Sequence, residues 1–201
     1  MTLFQENIEQ AKHLTSLYEY LEGSISSPFS DDLLRAQIVY SVSAFDKLLH
    51  DIIRIGIIEI FTGKRPPTPK YLAESISIAT YNELMSATKK NPKEHIFEEA
   101  VFKKLKTISY QEPEKVAEGL SYIWNEKQKW QQIALKMELD DKTAKNTLKL
   151  IADRRNSIVH EADIKPGTNK KYSIHQTDIQ SITDFLGQCG KEIVGLVVLS
   201  S

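Results

Sequence analysis

Leu148-Lys-Leu-Ile-Ala-Asp-Arg-Arg-Asn-Ser-Ile-Val-His160 decides how this chain is read. Apolar residues recur through it at helical spacing, with Ala144, Leu148, Ile151 and Ala152 as the stripe to be buried. Asp140-Asp141 opens the helix, Lys142 to about Glu161 forms it, and Pro166-Gly167 forces the turn that follows. The segment ends with a permanent cation, Arg155, close in sequence to a titratable imidazole, His160. An Arg can hold phosphate oxygens bidentately without losing its charge, and a His exchanges protons near neutrality. Together they point to phosphodiester chemistry. Five residues of ideal helix turn the chain roughly 140° past a full circle, so the two side chains do not form a simple surface pair. Either the helix frays or bends near His160, or the two flank a cleft whose other wall comes from another element or another subunit. A purely structural reading also exists, in which the Arg favours the helix dipole and the His caps carbonyls.

Working outward, helical periodicity continues nearly throughout and no alternating β-branched run appears, so the expected fold is all-α. A first helix is predicted over Leu3–Glu22, with Phe4, Ile8, Ala11, Leu14, Leu17 and Leu21 facing inward and Gly23 as its stop. Ser30 is expected to cap a long helix, Asp31–Phe61, that ends at Gly63 and Pro66-Pro67. Pro66 to Tyr71 reads as loop. Shorter helices fit Ser77–Lys89, Lys93–Ile108, Pro113–Trp124 and Lys127–Met137. The last helix has a capping-box pattern at Thr177 and Gln180, and an apolar stripe through Ile179, Ile182, Phe185, Leu186, Cys189 and Ile193. With no internal repeat, an antiparallel bundle in a single domain over residues 1–201 is the simplest arrangement.

The composition is that of an ordinary water-soluble chain: 41% hydrophobic and 26% charged residues. Cys189 is the only cysteine, which rules out an intrachain disulfide or a multi-cysteine zinc site and suits a reducing cytoplasm. The acidic N-terminus predicts no export, and the longest apolar runs fall short of the roughly 20 residues that span a bilayer, so no membrane partner is expected. A net charge of -1 argues against a broad electrostatic grip on nucleic acid, though a small cleft can still be basic. The lysine clusters at Lys89-Lys90-Lys93, Lys103-Lys104-Lys106 and Lys165-Lys170-Lys171 read as solvated surface. His13, His95 and His175 are expected at the surface or in caps, and Trp124 and Trp130 in the core. The phosphate-binding P-loop, the dinucleotide fingerprint and the zinc-protease histidine pair are all missing.

The segment Leu150 to Asp163 resembles the signature of the HEPN superfamily: an Arg, usually a polar residue such as Asn, a short spacer and a His. Arg155-Asn156 and His160 match it. A second segment, Ala36 to Arg54, resembles the N-terminal long helix of the RiboL-PSP type of HEPN domain, with Asp46 and His50 one turn apart. No motif is matched between Thr68 and Leu139, which would make up additional helices within a HEPN-type bundle. The resemblance implies a metal-independent endoribonuclease working as a homodimer, with the Arg and His of both chains lining one cleft. It also implies a role as a toxin or in anti-phage defence, with an antitoxin or regulatory protein as a further partner. Many HEPN domains are instead non-catalytic modules that bind RNA or protein, which is the alternative function.

RNA carries its own nucleophile, the 2'-OH beside the scissile phosphate, so neither cofactor nor metal is expected. His160 would act as general base and Arg155 would stabilise the charge gathered on phosphorus. Asn156 is expected to bond phosphate, orient the partner's His, or simply face solvent. Arg154 is read either as an RNA contact or as a surface ion pair. Asp46, His50 and Arg54 share a face of the long helix; they either support the cleft or form a structural polar seam.

Overall fold

The protein is described from a computed structural model covering residues 2–24 and 29–199. Its centre is a 31-residue helix, α2 (Asp31–Phe61), against which five of the other eight described helices pack. Leu34, Ile38, Phe45, Leu49 and Ile53 along it are completely buried. Each such side chain removed from water contributes roughly 1.5–3 kcal/mol. Around it pack α1 (Thr2–Ser24), α5 (Lys93–Leu105), α6 (Pro113–Leu120), α8 (Asp141–Glu161) and α9 (Gln176–Leu199). The short helices α3 (Pro69–Leu72), α4 (Ile78–Met85) and α7 (Lys129–Lys136) fill the middle of the chain. Among the described residues there is no strand, only one isolated antiparallel bridge between Ile164 and Lys171. The fold is all-α, and no described helix is long and apolar enough to cross a membrane.

Several local expectations change. The buried face of α1 runs Phe4, Ile8, Ala11 and Thr15, while Leu17 is 45% exposed. Thr15 is drawn inward because its hydroxyl donates to Gln37 Oε1 at 2.5 Å, and Gln37 Nε2 donates to Thr183 Oγ1 at 3.1 Å. This buried polar chain ties α1, α2 and α9 together, and no apolar pattern reveals it. Ser30 sits at the start of α2, but its side chain makes no cap bond; its hydroxyl reaches Glu22 at the end of α1. The expected loop Pro66–Tyr71 is overlapped by α3, capped by Thr68, and α4 ends at Met85 rather than Lys89. Helix α6 stops at Leu120, four residues early, because Tyr122, Ile123 and Trp124 leave the helix to enter the core. The capping box at Thr177 is absent: α9 begins one residue before it, and the His175 carbonyl accepts from the amides of Asp178 and Ile179. Trp124 and Trp130 are core residues, and the Trp130 indole donates to the Pro113 carbonyl at 2.8 Å.

The end of α8 is held by an unusual clasp. Ala162 and Asp163 both take left-handed backbone angles (φ 51° and 60°), turning the chain back beneath the helix. That turn buries the Asp163 carboxylate completely. Arg35 Nε of α2 donates to it at 2.7 Å and Arg154 Nη2 of α8 at 2.9 Å. Each arginine also donates to a main-chain carbonyl of the returning segment, Arg35 to Tyr172 and Arg154 to Ser173. The clasp therefore fixes the last turn of α8, which carries His160.

Candidate active site

Helix α8 forms as its sequence predicts: the Asp140 carboxylate accepts the Thr143 amide at 2.9 Å, and Leu148, Ile151 and Ala152 are buried. It continues as helix to Glu161, so it does not fray at His160. Of the cleft left open by the sequence, the chain itself supplies the Arg155 side and a wall from another element, while His160 does not line it. Arg155 and Asn156 line a cleft of about 440 Å³ whose opposite wall is the link between α5 and α6, from Thr107 to Glu112, together with Lys115.

Arg155 differs from every other arginine in the chain. Arg35, Arg54, Arg65 and Arg154 each meet a carboxylate: Asp163 at 2.7 Å, Glu98, Glu59 at 2.9 Å and Asp163 at 2.8 Å respectively. Arg155 has no carboxylate partner among the described residues. Its Nη1 donates to the Asn156 side-chain oxygen at 3.1 Å, and its Nε is buried without an acceptor. A buried cationic donor without an acceptor costs free energy that an anionic guest in the cleft would return. The neighbouring Asn156 thereby orients Arg155 without neutralising it.

Asp46 and His50 stand behind the opposite wall. The Asp46 carboxylate accepts the Tyr110 amide at 2.5 Å, and His50 Nε2 lies 3.1 Å from the Ile108 carbonyl and 3.7 Å from Asp46. The His50 and Tyr110 rings meet edge to face, with centroids 4.8 Å apart. Burial, reinforced by the charge of Asp46, pushes the Tyr110 phenol up to about 12, so it stays neutral at physiological pH. A methyl group at Gly119 of α6 would overlap the Tyr110 ring and Ile53, so only glycine lets α6 approach the Tyr110 anchor this closely. The polar ladder expected along α2 stops at His50, since Arg54 turns to Glu98 and Asp51. Asp46→Ala would leave the Tyr110 amide without an acceptor, a cost of about 1–3 kcal/mol. Amide exchange across residues 107–112 should accelerate while α9 is unchanged; equal protection in both proteins would show that Asp46 does not hold this wall.

The remaining site residues fall elsewhere. Arg154 is committed to the clasp, with its guanidinium also 5.2 Å from the Tyr172 ring, so its ion pair is with a buried carboxylate and not a surface one. His160 is exposed and does not line the Arg155 cleft of its own chain. The sequence reading missed the wall residues Thr107 to Glu112 and Lys115; the only signal was Pro113, which marks a helix start with a loop before it. No group of three His, Cys, Asp or Glu side chains among the described residues is placed to hold a metal ion.

A family model, RiboL-PSP-HEPN, matches residues 5–198. No curated protein and no solved structure matches the chain. With the match running from α1 to α9 and including both the α2 and α8 segments, the chain belongs to the RiboL-PSP-type HEPN family.

Proposed function

We propose that this protein is a metal-independent endoribonuclease. The observation that carries the reading is Arg155, the one arginine without a carboxylate partner among the described residues, placed in a cleft with its Nε lacking an acceptor. In the reaction, His160 removes the proton of the 2'-OH and the freed oxygen attacks the adjacent phosphorus. The bond from phosphorus to the 5'-oxygen breaks, and that oxygen takes up a proton, from a second His160 in a homodimer. Arg155 stabilises the extra negative charge on the pentacoordinate phosphorus. The products are a 2',3'-cyclic phosphate and a 5'-OH. Because His160 lies roughly 140° around α8 from Arg155, the composite site of a dimer is the simplest way to bring both to one phosphate. HEPN kinship supports a cellular role as a toxin or anti-phage effector, restrained by an antitoxin or regulatory protein.

The exposure of His160 outside its own chain's cleft also favours a second reading, a non-catalytic HEPN module that binds RNA or a protein. One experiment separates them: incubation of a labelled structured RNA with the purified protein in excess EDTA, followed by analysis of product ends. Cyclic-phosphate ends from the wild type, and none from Arg155→Ala or His160→Ala, are expected. Identical traces from all three proteins would leave the binding module as the function.

A further inference from the structure

The outer face of α8 carries more than Asn156 and His160. At 100° per residue, Lys142, Lys145, Lys149, Asn156 and His160 fall within about 60° of one another, in a stripe ~27 Å long. Lys142 and Lys149 are exposed and have no carboxylate partner among the described residues; Lys145 lies 3.0 Å from Asp141. Asp153 is the nearest acid to the middle of the stripe and lies about 20° outside it.

At its Lys145 end the stripe opens on a second cleft, of about 530 Å³, bounded by α6, α7 and the start of α8. Its wall includes Lys127 and Lys129, with Glu118 and Asp141 as its acids. Glu118 is engaged by Lys115 at 3.2 Å and Asp141 by Lys145. Lys129 is only 7% exposed, yet its ammonium has no carboxylate partner among the described residues; it donates to the Glu126 carbonyl and lies 5.9 Å from the Trp124 ring centroid. Burial depresses its pKa, and a nearby anion would oppose that depression. Both clefts border α6 and the same side of α8: Asp141, Lys145, Arg155 and Asn156 lie within about 100° of arc.

We propose that α8 is a track for single-stranded RNA, in which Lys142, Lys145 and Lys149, with Lys127 and Lys129 beside them, hold the phosphates that flank the one at Arg155. The inference rests on the ribonuclease reading and adds where the substrate strand lies. A phosphate backbone needs regularly placed cations along a groove, and the overall charge of -1 makes a local stripe the means of supplying them. Sequence preference is left to the walls of the Arg155 cleft, since lysine contacts to phosphate do not distinguish bases.

The test is fluorescence anisotropy with a fluorescein-labelled, fully 2'-O-methylated RNA of ~12 nucleotides, which binds but lacks the attacking hydroxyl. Wild type, Arg155→Ala, the triple variant Lys142→Ala/Lys145→Ala/Lys149→Ala, and a control triple variant Lys89→Ala/Lys90→Ala/Lys93→Ala are titrated across a salt series. The α8 variant is expected to bind about tenfold more weakly near 0.1 M salt, with a salt slope smaller by about 2, while the control matches wild type. If wild type and the Arg155 variant differ but the α8 variant keeps the wild-type slope, the track falls and the ribonuclease reading stands. If both lysine triples weaken binding equally, the attraction is diffuse and the track falls too. If wild type does not bind, both readings fall.

Discussion

Replacing Asp163 with alanine is expected to lower stability by about 3–5 kcal/mol, the range for removing one partner of a buried ion pair. The carboxylate has no exposure to water and is met by two guanidinium groups from different helices. Its loss would leave Arg35, only 6% exposed, with Asp32 at 3.2 Å as its remaining counter-charge. Two left-handed residues, Ala162 and Asp163, would also lose the contact that fixes them. For a chain of this length the melting temperature should fall by roughly 6–20 °C. Thermal unfolding followed by circular dichroism reads this directly, and a shift below about 2 °C would mean that the clasp adds no net stability. Asp163→Asn should fall between the two, because it keeps an acceptor while losing the charge.

The second large effect concerns the reaction. Arg155→Ala should slow RNA cleavage by about 10²–10³-fold, as expected when a donor to the developing charge is removed. His160→Ala should slow it by about 10²–10⁴-fold, the range for a general base. Neither should unfold the protein, since His160 is exposed and the Arg155 side chain makes one hydrogen bond among the described residues, to Asn156. The two inactive variants also test the composite site. Refolded together as a mixture, they are expected to give dimers in which one chain supplies Arg155 and the other His160, and part of the activity should return. Two inactive proteins that stay inactive when mixed would mean that a working site needs both His160 side chains or takes Arg155 and His160 from the same chain.

Helices α2 and α8 were legible in the sequence because their signals are local: paired aspartates at each start and apolar residues at 3.6-residue spacing. Arg155, the arginine of the cleft, was legible for the same reason, since the motif is contiguous. The rest depends on partners far away in sequence. Thr15 is buried because Gln37 answers its hydroxyl, so an apolar pattern assigned its place to Leu17. The wall from Thr107 to Glu112 has no periodicity and gains its shape from Asp46 and His50, about sixty residues earlier. Lysine is ordinarily a surface residue, so nothing in the sequence marks Lys129 as buried beside Trp124. Arg154 and Arg155, adjacent and chemically identical, divide their roles only because the turn at Ala162 brings Asp163 back to one of them.

The clasp also dictates an order of assembly. Arg35 and Asp163 are 128 residues apart, and the main-chain oxygen that Arg35 holds belongs to Tyr172, 137 residues away. A contact of such long range closes after the local helices have formed, because the entropy of the intervening loop must be overcome first. During synthesis α8 emerges before the residues that fasten its tip. The imidazole end of the motif is thus fixed only once the chain has been made as far as Tyr172, as a late step of folding and not an early one.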